Sequence, residues 1–158
     1  MRSIRYFGNG TLKMVEAPEP EIKRADEVKI RVAYCGVCGS DLHFKRAELD
    51  FLFEGDEGTP IGHEATGVIT ELGKGLKVGD RVVYYYNEHC GSCYYCRNGQ
   101  EQFCENMTGT SAAFSDYIVV REQSVHKLAD TCSLKKGALI EPISVCLHGI
   151  DLIGIKPG

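Results

Sequence analysis

Cys90, Cys93, Cys96 and Cys104 constrain this chain more than any other feature, because all four fall within a fifteen-residue segment. Cys-x2-Cys spacing lets one tight turn aim two sulfurs at a common ion, and four thiolates in a tetrahedral shell are a preferred setting for structural zinc. Gly91, Asn98 and Gly99 suit the tight backbone such a shell requires. A closed shell leaves no position for substrate, so the predicted lobe, residues 88–106, has a mechanical role and folds through its metal. The competing reading is an iron–sulfur cluster, since ferredoxin runs also begin Cys-x2-Cys-x2-Cys. There the next cysteine follows after three residues and precedes proline, whereas Cys104 follows after seven and precedes Glu105. The spacing favours zinc, with a redox electron carrier as a minor alternative.

Eight cysteines also raise the question of disulfides. The start, Met1-Arg2-Ser3-Ile4-Arg5-Tyr6, lacks the apolar centre of an export signal. A cytoplasmic location and thiolate ligation are therefore expected. Cys35, Cys132 and Cys146, outside the ligand patterns, are expected to pack as small apolar residues. No apolar run approaches the roughly 20 residues that span a bilayer, so no membrane partner is expected. A formal charge of -4 without any Lys/Arg run argues against nucleic acid. The hydrophobic content of 43% over 158 residues suits one globular domain with a real core.

Short alternating segments separated by glycine-rich turns predict strands at 28–34, 66–72, 81–86 and 115–120. Gly8-Asn9-Gly10 predicts a hairpin turn between strands 4–7 and 11–15. Helix signals are few. Ser40 is placed to cap a turn through His43, and Glu141-Pro142 to start a helix carrying Ile143, Leu147 and Ile150 on one side. Lys156-Pro157-Gly158 reads as a turn. The fold class is mainly β with short helices, a small barrel or sandwich.

A second group of ligand-type residues is looser: Cys38-Gly39-Ser40-Asp41-Leu42-His43, then Gly62-His63-Glu64, then Glu141 in the apolar run 138–142. A carboxylate among apolar residues needs a compensating partner, and a metal ion is one. The segments 36–43, 62–67 and 78–82 and the four-cysteine lobe, in this order, resemble the zinc-dependent medium-chain alcohol dehydrogenases over nearly the whole chain. Ile140-Glu141-Pro142-Ile143-Ser144-Val145 is similar to the sorbitol, threonine and sugar-alcohol branch.

The resemblance implies a GroES-like, partly open β-barrel with a zinc-binding lobe, and two zinc ions per chain. Cys38 and His63 would hold the catalytic zinc, with Glu64 or Glu141 completing the shell. Asp41 would hydrogen-bond the His63 ring, and Ser40 and His43 match the family's proton-relay positions. An open zinc would acidify an alcohol so that it releases hydride to NAD or NADP. Phe44 stands at a position that can line the substrate pocket, with packing in the core as its other reading. His89, His126 and His148 receive no role.

The family's cofactor-binding Rossmann domain is absent from this sequence. Residues 73–78 imitate half of a dinucleotide fingerprint, but Val78 stands at the third glycine position and no βαβ unit surrounds it. The expectation is an incomplete GroES-like catalytic domain, residues 1–158, with the cofactor domain following residue 158. It would belong to a parent enzyme oxidising a small secondary alcohol as a homo-oligomer, dimer or tetramer, and would be inactive alone. A stand-alone zinc-binding or interaction module without catalysis is the alternative.

Overall fold

The computed structural model describes residues 1–53, 55–72 and 75–155. The chain opens with β1 (Arg2–Tyr6) and β2 (Leu12–Glu16), paired antiparallel from Arg2–Glu16 to Tyr6–Leu12. The expected turn joins them: Gly8, Asn9 and Gly10 hold φ of 76°, 49° and 68°, a region that glycine and asparagine enter at least cost. There follow β3 (Glu27–Cys35), α1 (Gly39–Lys45), β4 (Thr59–Pro60), β5 (Ala65–Glu71) and β6 (Arg81–Tyr84). A small excursion carries β7 (Asn87–Glu88), the single turn α2 (Tyr94–Arg97) and β8 (Thr108–Gly109). The chain then returns through β9 (Tyr117–Arg121) and β10 (Val125–Lys127) to α3 (Leu134–Gly137) and α4 (Ile140–Ile153).

Three sheets result, ordered β2-β1-β4, β10-β6-β5-β3-β9 and β7-β8. Every strand pairing among the described residues is antiparallel, so none supplies the parallel βαβ unit of a dinucleotide fold. Ser3 bridges Ser115, and Ile4 N donates to Phe114 O at 2.7 Å. This joins the first sheet to the start of β9 while β2 and β10 stay as edges: a barrel left open.

The core follows from the period-two pattern. Val28 and Ile30 of β3 face Val120 and Ile118 of β9 in register, and Ile69, Val82 and Tyr84 continue the same buried layer. Burying each such aliphatic contributes about 1.5–3 kcal/mol, which makes the five-stranded sheet the stable body on which the sites are built.

Arg81 ties this body to the segment leading into α3. Its Nη1 donates to Cys132 O at 2.7 Å, and its Nη2 to the Ala129 and Asp130 carbonyls at 3.1 Å each. Truncation in Arg81→Ala is expected to destabilise the protein by about 2 kcal/mol, read as a lower denaturation midpoint. An unmoved midpoint would show that water replaces the guanidinium without cost.

Three local expectations need correction. Cys38, not Ser40, is the N-cap of α1, because Asp41 at the third helical position returns its Oδ2 to Cys38 N at 2.8 Å. The third central strand ends at Tyr84, since Tyr85 N pairs instead with Ser124 O at 2.8 Å and the chain bends. Cys146 is exposed rather than packed, because it lies on α4, where Ile143, Val145, Leu147, Leu152 and Ile153 are exposed too. Gly75 to Val78 do lie between β5 and β6, whereas residues 73, 74 and the turn expected at 156–158 fall outside the described residues. No helix among the described residues is long and apolar enough to cross a membrane.

Candidate metal centres and cleft

The four lobe cysteines converge. Their sulfurs lie within 4.8 Å of one another, with Cys93–Cys96 at 3.4 Å and Cys90–Cys96 at 3.9 Å. Four thiolates each about 2.3 Å from one zinc sit ~3.8 Å apart, so the donor set fits a closed tetrahedral shell. Backbone N–H groups favour the thiolate form: those of Ser92 and Cys93 lie 3.5 and 3.4 Å from Cys90 Sγ. The Ser92 N–H, followed by its hydroxyl, lowers the Cys90 thiol to about 5. At the base of the lobe β7 pairs with β8, and Arg121 N donates to Glu88 Oε1 at 2.9 Å, anchoring the excursion to β9.

The second group converges through strand pairing. β3 and β5 run antiparallel with Cys35 opposite Ala65, so the residues just after β3 lie beside those just before β5. Cys38 and the pair His63-Glu64, far apart in sequence, thereby meet, and Gly36 N donates to Glu64 O at 2.8 Å. One ligand atom each from Cys38, His63 and Glu64 lies within 4.8 Å of the others. Glu141 stands outside this set, in the first turn of α4, yet near enough to feel the charges of His63 and Glu64. Three protein donors with room for another ligand are the arrangement of catalytic zinc sites.

Electrostatics point the same way. Asp41, Glu64 and Glu141 are 5%, 8% and 8% exposed. Among the described residues no Lys or Arg forms an ion pair with any of them. Burial raises the carboxyls of Asp41 and Glu141, and the charge of Glu64 raises both further. Buried anions gathered without a cation are costly, and a divalent ion between Cys38, His63 and Glu64 removes that cost. Cys35 is not part of the set: burial, then the charges of Asp41 and Glu64, push its thiol up to about 12, so it packs as a neutral group.

Asp41 departs from the expected contact. Its hydrogen bond goes to Cys38 N, and it acts on His63 through space. Ser40 reaches a cleft of about 550 Å³ that it lines with Phe44, Ile61, His63, Tyr86 and Ser111. Phe44 lines this cleft, and its ring also packs 5.0 Å from buried Tyr6. His43 is half exposed on α1, with Nδ1 against the Glu48 carboxylate. Tyr86 is expected only as a strand residue within 81–86; its ring lies 4.7 Å from that of His63, tilted by 46°. The bend after β6 that turns it inward carries no composition signal.

Residues 24–130 match the family model for the alcohol dehydrogenase GroES-like domain. The 2-dehydro-3-deoxy-L-galactonate 5-dehydrogenase of Pseudoalteromonas atlantica is 33% identical over 100% of this chain and 48% of its own length. The protein named Probable D-xylulose reductase A of Arthroderma otae is 36% identical over 93% of this chain and 44% of its own length. Galactitol-1-phosphate dehydrogenase from Escherichia coli superposes with a TM-score of 0.86 at 31% identity, covering 97% of this chain and 45% of that one. The chain spans about half the length of the curated relatives it matches.

Proposed function

The chain belongs to the alcohol dehydrogenase GroES-like domain family, and on that premise we propose that it forms the zinc-holding catalytic half of an NAD(P)-dependent dehydrogenase. The substrate class is a secondary alcohol on a small polyol, sugar alcohol or hydroxy amino acid, matching the sugar-derived substrates in the relatives' names. One observation carries the reading: Glu64 converges with Cys38 and His63, and it and the nearby buried Asp41 and Glu141 form no Lys or Arg ion pair among the described residues.

Cys38, His63 and Glu64 hold the catalytic zinc, with Glu141 as the nearby alternative to Glu64, and Cys90, Cys93, Cys96 and Cys104 hold the structural one. Bound there, the catalytic zinc supplies Lewis-acid polarisation of an alcohol hydroxyl. The cleft orients that alcohol between Phe44, Ile61 and Tyr86 and keeps bulk water from its carbon. Ser40 Oγ accepts the hydroxyl proton as it gives up its own hydroxyl hydrogen, which His43, one helical turn further along α1, takes up and passes to solvent.

Hydride acceptance belongs to the nicotinamide cofactor, for which no residue of this chain is assigned. A cofactor-binding part of the whole enzyme would cover the exposed apolar residues of α4. The working protein is a cytoplasmic dimer or tetramer without nucleic-acid or membrane partners.

Metal analysis tests the reading directly. The protein is expected to bind two zinc ions, and Cys38→Ala to bind one. A single zinc, insensitive to Cys38→Ala, would leave a structural module without an active site.

A further inference from the structure

We infer that Glu48 is a positioning residue for His43, holding the imidazole by Nδ1 so that Nε2 takes up and releases the proton. The inference rests on the reading of Ser40 and His43 as the proton path.

The Glu48 carboxylate meets His43 Nδ1 although both side chains are about half exposed. An exposed pair contributes little to stability, so what this one does is fix which ring nitrogen is engaged. Helix α1 ends at Lys45, and Ala47 closes it in the left-handed conformation of a helix C-terminus, φ 61°, with its N–H on Phe44 O at 3.0 Å. That residue reverses the chain. Glu48 N donates to His43 O at 3.0 Å, so Glu48 returns to one residue with both its main chain and its side chain.

An ionised carboxylate only accepts hydrogen bonds, so a partnered Nδ1 carries the hydrogen, and in the neutral ring it is Nε2 that keeps the lone pair. The Glu48 carboxyl is lowered, chiefly by its hydrogen bond with His43, which keeps it in the accepting form. Ser40 and His43 stand three residues apart in α1 and share one face, with Ser40 in the cleft and His43 at the solvent side. A proton arriving at Nε2 gives the imidazolium, and the same nitrogen returns it to water. Nδ1–H stays on Glu48 throughout, so no other bond changes.

The tautomer of His43 tests this by nitrogen-resolved NMR of the histidine rings in the zinc-loaded protein, with His43→Gln used to assign the signal. An imidazole free in water favours the Nε2–H form, so a dominant Nδ1–H form in the wild type is the expected result. In Glu48→Ala the ratio is expected to move toward Nε2–H by roughly fivefold, the scale of an exposed charged pair. Glu48→Gln, whose amide oxygen still accepts, should hold the wild-type form. An Nε2–H wild type, an unmoved ratio in Glu48→Ala, or Glu48→Gln matching Glu48→Ala would each overturn the inference. The ring readout needs no turnover, so failure of the dehydrogenase reading would appear separately, as one zinc instead of two.

Discussion

Cys104→Ser is expected to release the lobe zinc and unfold the segment between β7 and β8 while the five-stranded sheet stays intact. Cys104 is the buried member of the four-cysteine cluster, and its sulfur accepts from Cys90 N at 3.2 Å. Little else holds the lobe. Its regular structure is one helical turn, one 3-10 turn and a two-residue strand pair, none stable in isolation. Its aromatic contacts join Tyr94, Tyr95 and Phe103, of which Tyr94 and Phe103 are largely exposed. Zinc in small metal-folded units is worth about 10–16 kcal/mol, far beyond what those rings supply. Amide exchange across residues 90–104 should therefore accelerate by on the order of 100-fold or more, with cleavage after Arg97 becoming easy. Val28, Ile30, Ile118 and Val120 should keep their protection, and chelation of the wild-type lobe should reproduce the pattern. A lobe that stays protected after losing zinc would mean that the aromatic cluster holds it.

The parts of this structure legible in sequence are those whose cause is local. Gly8-Asn9-Gly10 supplies its own left-handed turn, the alternation writes the buried face of β3 through Val28, Ile30 and Val32 until a register shift leaves Tyr34 exposed, and the four cysteines place four sulfurs together within one short loop. β10 escaped because Val125, His126 and Lys127 are too few to show a period; pairing with Val82 to Tyr84 makes them a strand. The cap of α1 was misread for a related reason. Serine is the usual capping residue, but the partner that closes the turn is Asp41, whose spacing selects Cys38. Tyr86 was out of reach because its contact with His63 depends on a bend set by the distant Ser124 carbonyl. The convergence of Cys38 with His63 and Glu64 comes from β3–β5 register, information that spacing alone does not hold.

That register also creates a sensitive position in the open site, Gly36. A side-chain carbon added there would press on Glu64, inside contact distance of the carboxylate, 3.1 Å from its Cβ and 3.3 Å from its Cδ. Glu64 has nowhere to go, being buried and held by the Gly36 N bond to its carbonyl. Gly36→Ala is therefore expected to displace the carboxylate from Cys38 and His63. Disturbing the carboxylates around a metal costs about 10–100-fold in affinity, and the added methyl in a packed site costs about 1–3 kcal/mol of stability. Zinc retained against a competing chelator should fall from two ions toward one, the survivor being that of the lobe. Gly39→Ala is the matched control in the same motif, because nothing lies within 4 Å of its added carbon. If Gly36→Ala lost stability but kept both ions as Gly39→Ala does, Glu64 would be a charge behind the site and Glu141 the residue that completes the shell.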